Sequence, residues 1–406
     1  MTLHEHILAR DPNAEIQQLV IGGCRIPRYV GDLWTARQRQ AAAIHEVSYR
    51  ACFKAQLPRF FIEAFSGEGD TVYDPFSGRG TTAIEAALMG RAVIANDINP
   101  LSEMLARPRL APPDPSDVQE RLSQISLDHR RRADTDLSMF YHRHTEAEIA
   151  GLRDYLRRRR DAGDEDGLDR WIRMVATNRL TGHSRGFFSV YTLPPNQAVS
   201  AERQKKINVQ RGQSPEYRDV RKLVLKKSKA LLKNLSPEAV GALREAGRSA
   251  VFLTEDARET TGVPAESVRL TVTSPPFLNV VQYAYDNWLR CWFNAIDDEA
   301  VSARITMCPT VEAWSDIMGA VFQELFRMTR PGGHVAFEVG EVRKSRVNLD
   351  EHVVPLGLQA GFRCEGIVVN QQEFTKTSNI WGIRNNRSGT NTNRIVVFAK
   401  GDGESR

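Results

Sequence analysis

Thr71-Val72-Tyr73-Asp74-Pro75-Phe76-Ser77-Gly78-Arg79-Gly80-Thr81-Thr82 decides the fold. An apolar strand over 71–74 runs into a turn with glycines at 78 and 80, and a helix follows through 82–89. Gly90 stops that helix, and Arg91-Ala92-Val93-Ile94-Ala95-Asn96-Asp97 reads as a second strand. A strand, a helix and a strand within about 30 residues form a βαβ unit, which implies a parallel sheet. Glycine in the turn lets a ligand approach the backbone, and the helix N-terminus offers unpaired N–H groups. Asp97 ends the second strand, where a carboxylate can accept both ribose hydroxyls of a nucleoside. The missing Lys excludes a Walker-type phosphate loop. Ala83 in the last position of a G-x-G-x-x-G/A pattern leaves a nicotinamide cofactor open. Asp74 favours a cationic ligand over a pyrophosphate.

Outward from this turn, the chain divides by texture. Residues 1–110 end in the α/β pattern just described. Residues 111–248 open on Ala111-Pro112-Pro113-Asp114-Pro115 and then turn charged and mainly helical, with the tetra-arginine Arg157–Arg160 and a Pro-Pro break at Pro194-Pro195. Residues 249–406 return to α/β texture, with strands expected at 250–253, 268–272 and 334–339 and a helix over 312–329. Cys364–Val369 and Arg394–Phe398 are expected to pair as a late antiparallel ribbon. The expected architecture is one α/β domain, 1–110 and 249–406, interrupted by a helical insertion over 111–248.

The 406 residues carry a formal charge of +5, and its distribution says more than the sum. Residues 170–234 hold 15 Lys or Arg against 3 Asp or Glu, about +12, which leaves the remainder at about −7. Five cysteines, an odd number with no C-x-x-C pair, argue against a disulfide framework or a zinc knuckle. The N-terminus lacks a signal-like apolar core and no apolar run reaches membrane-spanning length, so a cytoplasmic protein is expected. His142 and His144 have no ligand partners at metal-site spacing, and no metal is expected.

A second stretch carries chemistry. Thr273-Ser274-Pro275-Pro276-Phe277 follows an apolar strand directly. Two prolines cannot donate backbone hydrogen bonds, so their carbonyls stay free to accept. Ser274 adds a hydroxyl and Phe277 a flat apolar face. Such a loop suits a planar base whose exocyclic amine is bonded to oxygens. Pro-Pro alone reads better as a loop closing a sheet.

Together, Asp74–Thr82 and Thr273–Phe277 resemble the amino-methyltransferases of DNA, which use S-adenosylmethionine. The resemblance implies a Rossmann-like methyltransferase sheet, mostly parallel with an antiparallel C-terminal strand. It assigns the cofactor to Asp74, Phe76, Gly78, Gly80, Thr81, Thr82, Asp97 and Thr273. Phe53–Pro58 is similar to the family's cofactor-tail segment, which adds Lys54 and Gln56, and Glu255–Arg258 resembles its acidic motif near the adenine ring, which adds Asp256. Ser274, Pro275, Pro276 and Phe277 are then the catalytic loop. Its Ser-Pro-Pro-Phe form resembles the N4-cytosine enzymes, with N6-adenine transfer on the same scaffold as the alternative. Transfer would be direct, after the base is flipped from duplex DNA. C5-cytosine enzymes instead need a Cys nucleophile, typically in Pro-Cys, and this chain has no Pro-Cys dipeptide. The resemblance also implies the modification half of a restriction–modification system, with a cognate endonuclease as a functional partner. RNA methylation and a non-catalytic DNA-binding regulator are the rivals.

Given DNA as the partner, the basic block acquires a role. Arg203, Lys205, Lys206, Arg211, Arg221, Lys222, Lys226 and Lys227 are expected at phosphates, with binding that weakens steeply in salt. Arg179 and Arg185 lie in Asn178–Tyr191, a mix of Arg, aromatics and turn residues that suits a DNA-facing loop and a packed loop equally. The Asn-rich run Arg384–Arg394 reads as a loop before the last strand.

Overall fold

The computed structural model describes residues 2–34, 41–49, 52–193, 198–276, 283–306, 308–339, 341–342, 347–372 and 391–402. Its strands are β1 (Glu15–Ile21), β2 (Cys24–Gly31), β3 (Thr71–Asp74), β4 (Ala92–Asn96), β5 (Val251–Leu253) and β6 (Val268–Thr273). They continue with β7 (Thr329–Val339), β8 (Glu341–Val342), β9 (Val347–Asn348), β10 (Arg363–Gln372) and β11 (Asn391–Ala399). Among the described residues, nine strands form one sheet in the order β1-β2-β10-β11-β7-β6-β3-β4-β5, and β8 and β9 form a separate small ribbon. The strands from β5 through β4, β3 and β6 to β7 pair in parallel. Two strands run against the rest: β11, antiparallel to both β7 and β10, and β1 at the edge, antiparallel to β2. The expected mostly parallel sheet with an antiparallel late ribbon is the sheet observed.

The central strands are short, and Val72, Leu270, Val272 and Ala336 are buried as the both-faces-covered sheet requires. One face packs on the helices Gln56–Phe65 and Thr81–Leu88 through Phe60, Phe61, Ile84 and Ala87. The other packs on Val311–Met328 through Trp314, Met318, Phe322 and Leu325. The hairpin β1–β2, absent from the sequence expectations, extends the sheet beyond β10. Its signal was present: Gly22 and Gly23, both at positive φ, form a two-residue turn between two half-apolar runs.

The helices between β4 and β5 pack around a second core. Trp171, Ile172 and Val175 of Gly167–Thr177 meet Val224 and Leu231 of Val220–Leu232. Buried Trp171 donates to Ser228 at 3.0 Å. Fully buried Asp169 takes Arg121 at 2.7 Å and Arg159 at 2.9 Å, so part of the arginine tract is structural. This core is continuous with Leu101 and Leu105 on one side and Leu289 and Phe293 on the other. The helix Pro237–Ser249 buries Leu243 and Ala246 beside Ile84 and Ala87. It is thus the last helix before β5, and the α/β layer resumes before residue 249. No described helix is long and apolar enough to cross a membrane.

Candidate active site

Asp74 ends β3 and its carboxylate accepts from the Phe76 N–H at 3.1 Å, which starts the turn. Gly80 closes it with φ 76° at the N-cap of Thr81–Leu88. A Cβ there would lie 2.5 Å from the Ala106 Cβ, so both conformation and space demand glycine. The Gly78 N–H donates to Asp97 Oδ2 at 2.8 Å, and the Asn99 N–H donates to Oδ1 at 2.9 Å. Asp97 therefore leaves β4 already tied to the turn. Burial pushes its carboxyl up to about 6, against the pull of those two N–H groups. A carboxylate has about four lone-pair sites, so the acceptor capacity left over suits a pair of ribose hydroxyls.

The same carboxylate of Asp74 links the turn to the second motif. The Thr273 hydroxyl donates to Asp74 at 2.6 Å, and the Thr82 hydroxyl donates to the Val272 carbonyl at 3.1 Å. Burial pushes Asp74 up to about 7, with the Thr273, Phe76 and Thr82 hydrogen bonds opposing. Beyond Thr273, the Ser274 hydroxyl is hydrogen-bonded to the Glu338 carboxyl at the end of β7. The Asn393 amide donates to the same carboxyl at 2.6 Å. Burial raises the Glu338 carboxyl above its ordinary value. The Trp314 indole N–H donates to the Pro276 carbonyl at 2.9 Å.

These elements open onto one cleft of about 1000 Å³, open mouth included. Phe76, Gly78, Asp97, Asp256, Ser274 and Pro276 all line it, although the ends of four different strands supply them. Asp74, Gly80, Thr81, Thr82 and Thr273 are buried beneath it as framework. Pro275 is buried, Lys54 is half-buried, and Gln56 begins the helix Gln56–Phe65; none of these three lines the cleft. Arg258 bonds Asp256 at 2.5 Å and holds its carboxyl below the ordinary range. Phe277 lies outside the described residues, as do Pro194–Gln197 and most of the Asn-rich run. Tyr49, Arg304, Trp314 and Glu338 escaped the sequence reading as site residues. Glu338 had a signal: an acidic residue at the carboxyl end of a strand, where open α/β sheets bind ligands.

Residues 7–105 match the N6_N4_Mtase family model, described as DNA methylase. This DNA-methylase match covers the hairpin, the turn and Asp97, and it stops before the Ser274 loop. The chain is 31% identical over 118 residues to the type II methyltransferase M.MvaI of Kocuria varians, covering 28% of this chain and 24% of that protein. It is 34% identical over 92 residues to the type II methyltransferase M.MjaII of Methanocaldococcus jannaschii, covering 23% of this chain and 16% of that one. The matched part thus spans a quarter or less of these relatives' length. Among solved structures, the rRNA methyltransferase aviRa of Streptomyces viridochromogenes covers 89% of this chain and 90% of its own at 12% identity, with a TM-score of 0.35. That likeness is too loose to bear on function.

The basic residues divide by placement. Arg185, Arg203, Lys205, Lys206, Arg211, Lys222 and Lys226 are exposed. Three others turn inward. Arg179 lies 4.0 Å over the Phe187 ring and is buried. Arg221 donates to the Leu122 and Ile125 carbonyls at the end of Pro115–Gln124. Lys227 is half-buried beside Glu46, and burial pushes it down to about 8.

Proposed function

We propose that this protein transfers the methyl group of S-adenosylmethionine to the N4 amine of cytosine in double-stranded DNA. The observation that carries the reading is the single cleft shared by the Gly78–Asp97 cradle and the Ser274–Pro276 loop. Gly78, Asp97 and Asp256 would hold the cofactor, whose bound form supplies an electrophilic methyl. The target base would be flipped into the cleft at a cost of a few kcal/mol. An exocyclic amine is a poor nucleophile because its lone pair is delocalised into the ring. Accepting an N–H bond at the Ser274 oxygen, which lines the cleft, localises that lone pair. The amine must also lose one proton. Ser274 can accept it while donating its own to Glu338, whose raised carboxyl is the better base for being buried.

The exposed cations of the insertion would sit on phosphates and supply the salt-sensitive part of binding. The type II names of the relatives support a modification role beside a cognate endonuclease. The Ser-Pro-Pro form at 274–276 supports cytosine over adenine.

Incubation with duplex DNA and the cofactor, followed by mass spectrometry of the digested product, tests the reading. N4-methylcytosine is expected. N6-methyladenine would reassign the base, and no methyl transfer to any DNA despite bound cofactor would overturn the proposal.

Cofactor affinity should also depend on pH through Asp97. Its carboxyl must be ionised to accept both hydroxyls, so binding is full above about 6 and weakens below it. One unit below that pKa about a tenth of the group is ionised, so calorimetry at pH 5 should give a Kd about tenfold above that at pH 7.5. An equal Kd at both values would remove Asp97 from the site.

A further inference from the structure

We infer that Trp314 is a positioning residue for the Ser274–Pro276 loop, an inference that rests on the methyl-transfer reading above. Neither proline of the loop can donate a hydrogen bond, so side chains from other elements must hold it. Thr273 is fastened to Asp74 from β3, and Ser274 meets Glu338 from β7. The third anchor is Trp314, whose indole N–H meets the Pro276 carbonyl at 2.9 Å.

Trp314 is suited to hold a fixed point. It lies in the first turn of Val311–Met328, whose N-cap Thr310 accepts from the Ala313 N–H at 3.2 Å. Its ring is 1% exposed and packs in the sheet core with Met318 and Phe322. An indole N–H is a donor only, and a buried one needs an acceptor. By taking the Pro276 carbonyl, the indole ties the end of the loop to the helix Val311–Met328. It thus sets the register of the loop on the cleft, without touching the reacting atoms.

The test replaces Trp314 in the full-length protein with 3-benzothienylalanine, which keeps the bicyclic shape and puts sulfur where the N–H was. Trp314→Phe serves as a second variant. The single-turnover methylation rate should fall at least tenfold in both, since misplacing reacting groups by about 1 Å can cost on the order of 10²-fold. The Kd for S-adenosylmethionine, the Kd for DNA and the melting temperature of the benzothienyl variant should stay close to wild type. In wild type, the indole N–H resonance lost on substitution should exchange slowly with solvent. A benzothienyl variant as fast as wild type, or a freely exchanging indole proton, would overturn the inference. A wild-type protein that binds cofactor yet methylates no DNA would instead overturn the functional reading.

Discussion

Ser274→Ala is expected to lower the single-turnover methylation rate by about 10²- to 10⁴-fold, the range for removing a positioned proton-transfer group. The hydroxyl stands between two partners. One is the base amine in the proposed reaction, and the other is the Glu338 carboxyl to which it is hydrogen-bonded. Alanine removes the bridge and leaves that carboxyl with the Asn393 amide. Nothing in the Gly78–Asp97 cradle is touched, so the Kd for S-adenosylmethionine should hold within a few-fold. Glu338→Gln should show a similar loss, because glutamine cannot take the proton. The double variant should lose little more than either single one, as expected for groups that act as a unit. A Ser274→Ala enzyme at wild-type rate would remove the loop from the chemistry.

Gly80→Ala carries the largest expected cost to stability. The residue holds φ 76°, and an alanine in the left-handed region costs about 1–2 kcal/mol. The new Cβ would lie 2.5 Å from the Ala106 Cβ, and overpacking of that kind costs about 1–3 kcal/mol more. The unfolded chain returns about 0.4–1 kcal/mol, because alanine has less freedom to lose. A net loss of about 2–4 kcal/mol should appear as a lower denaturation midpoint with an unchanged slope. Ala106→Gly in the same chain should recover the packing part and leave the conformational part, so the two variants should be non-additive. Additivity in this cycle would mean that the turn relaxes away from the helix Leu101–Ala106.

The two motifs were legible because each is local. A strand, two glycines and a helix follow from short-range conformational preference, and β3, β4 and β6 lie within a residue or two of where the sequence put them. Trp314 was legible only as a core residue at helical spacing. Its N–H is invisible to periodicity, because its partner is 38 residues away in sequence. Glu338 was read as part of a strand, and only the β6–β7 pairing puts it beside Ser274. The hairpin β1–β2 was missed although Gly22-Gly23 marked it, since its strands are half-exposed and give a weak alternation.

Charge was the least local property. The block over 170–234 looked uniform, yet Arg221 caps carbonyls at 122 and 125, Arg179 covers Phe187, and Lys227 is drawn in beside Glu46. A long cationic side chain takes whichever partner the fold brings near. Sequence by itself determined the βαβ turn, the Pro-Pro loop and the order in which they occur, because backbone conformation and hydrogen-bonding capacity are written residue by residue. Tertiary structure alone decided that both motifs open onto one cleft, that Thr273 is bonded to Asp74, and which cations still face solvent. Those outcomes depend on parallel strand pairing and burial, which bring together residues nearly 200 positions apart.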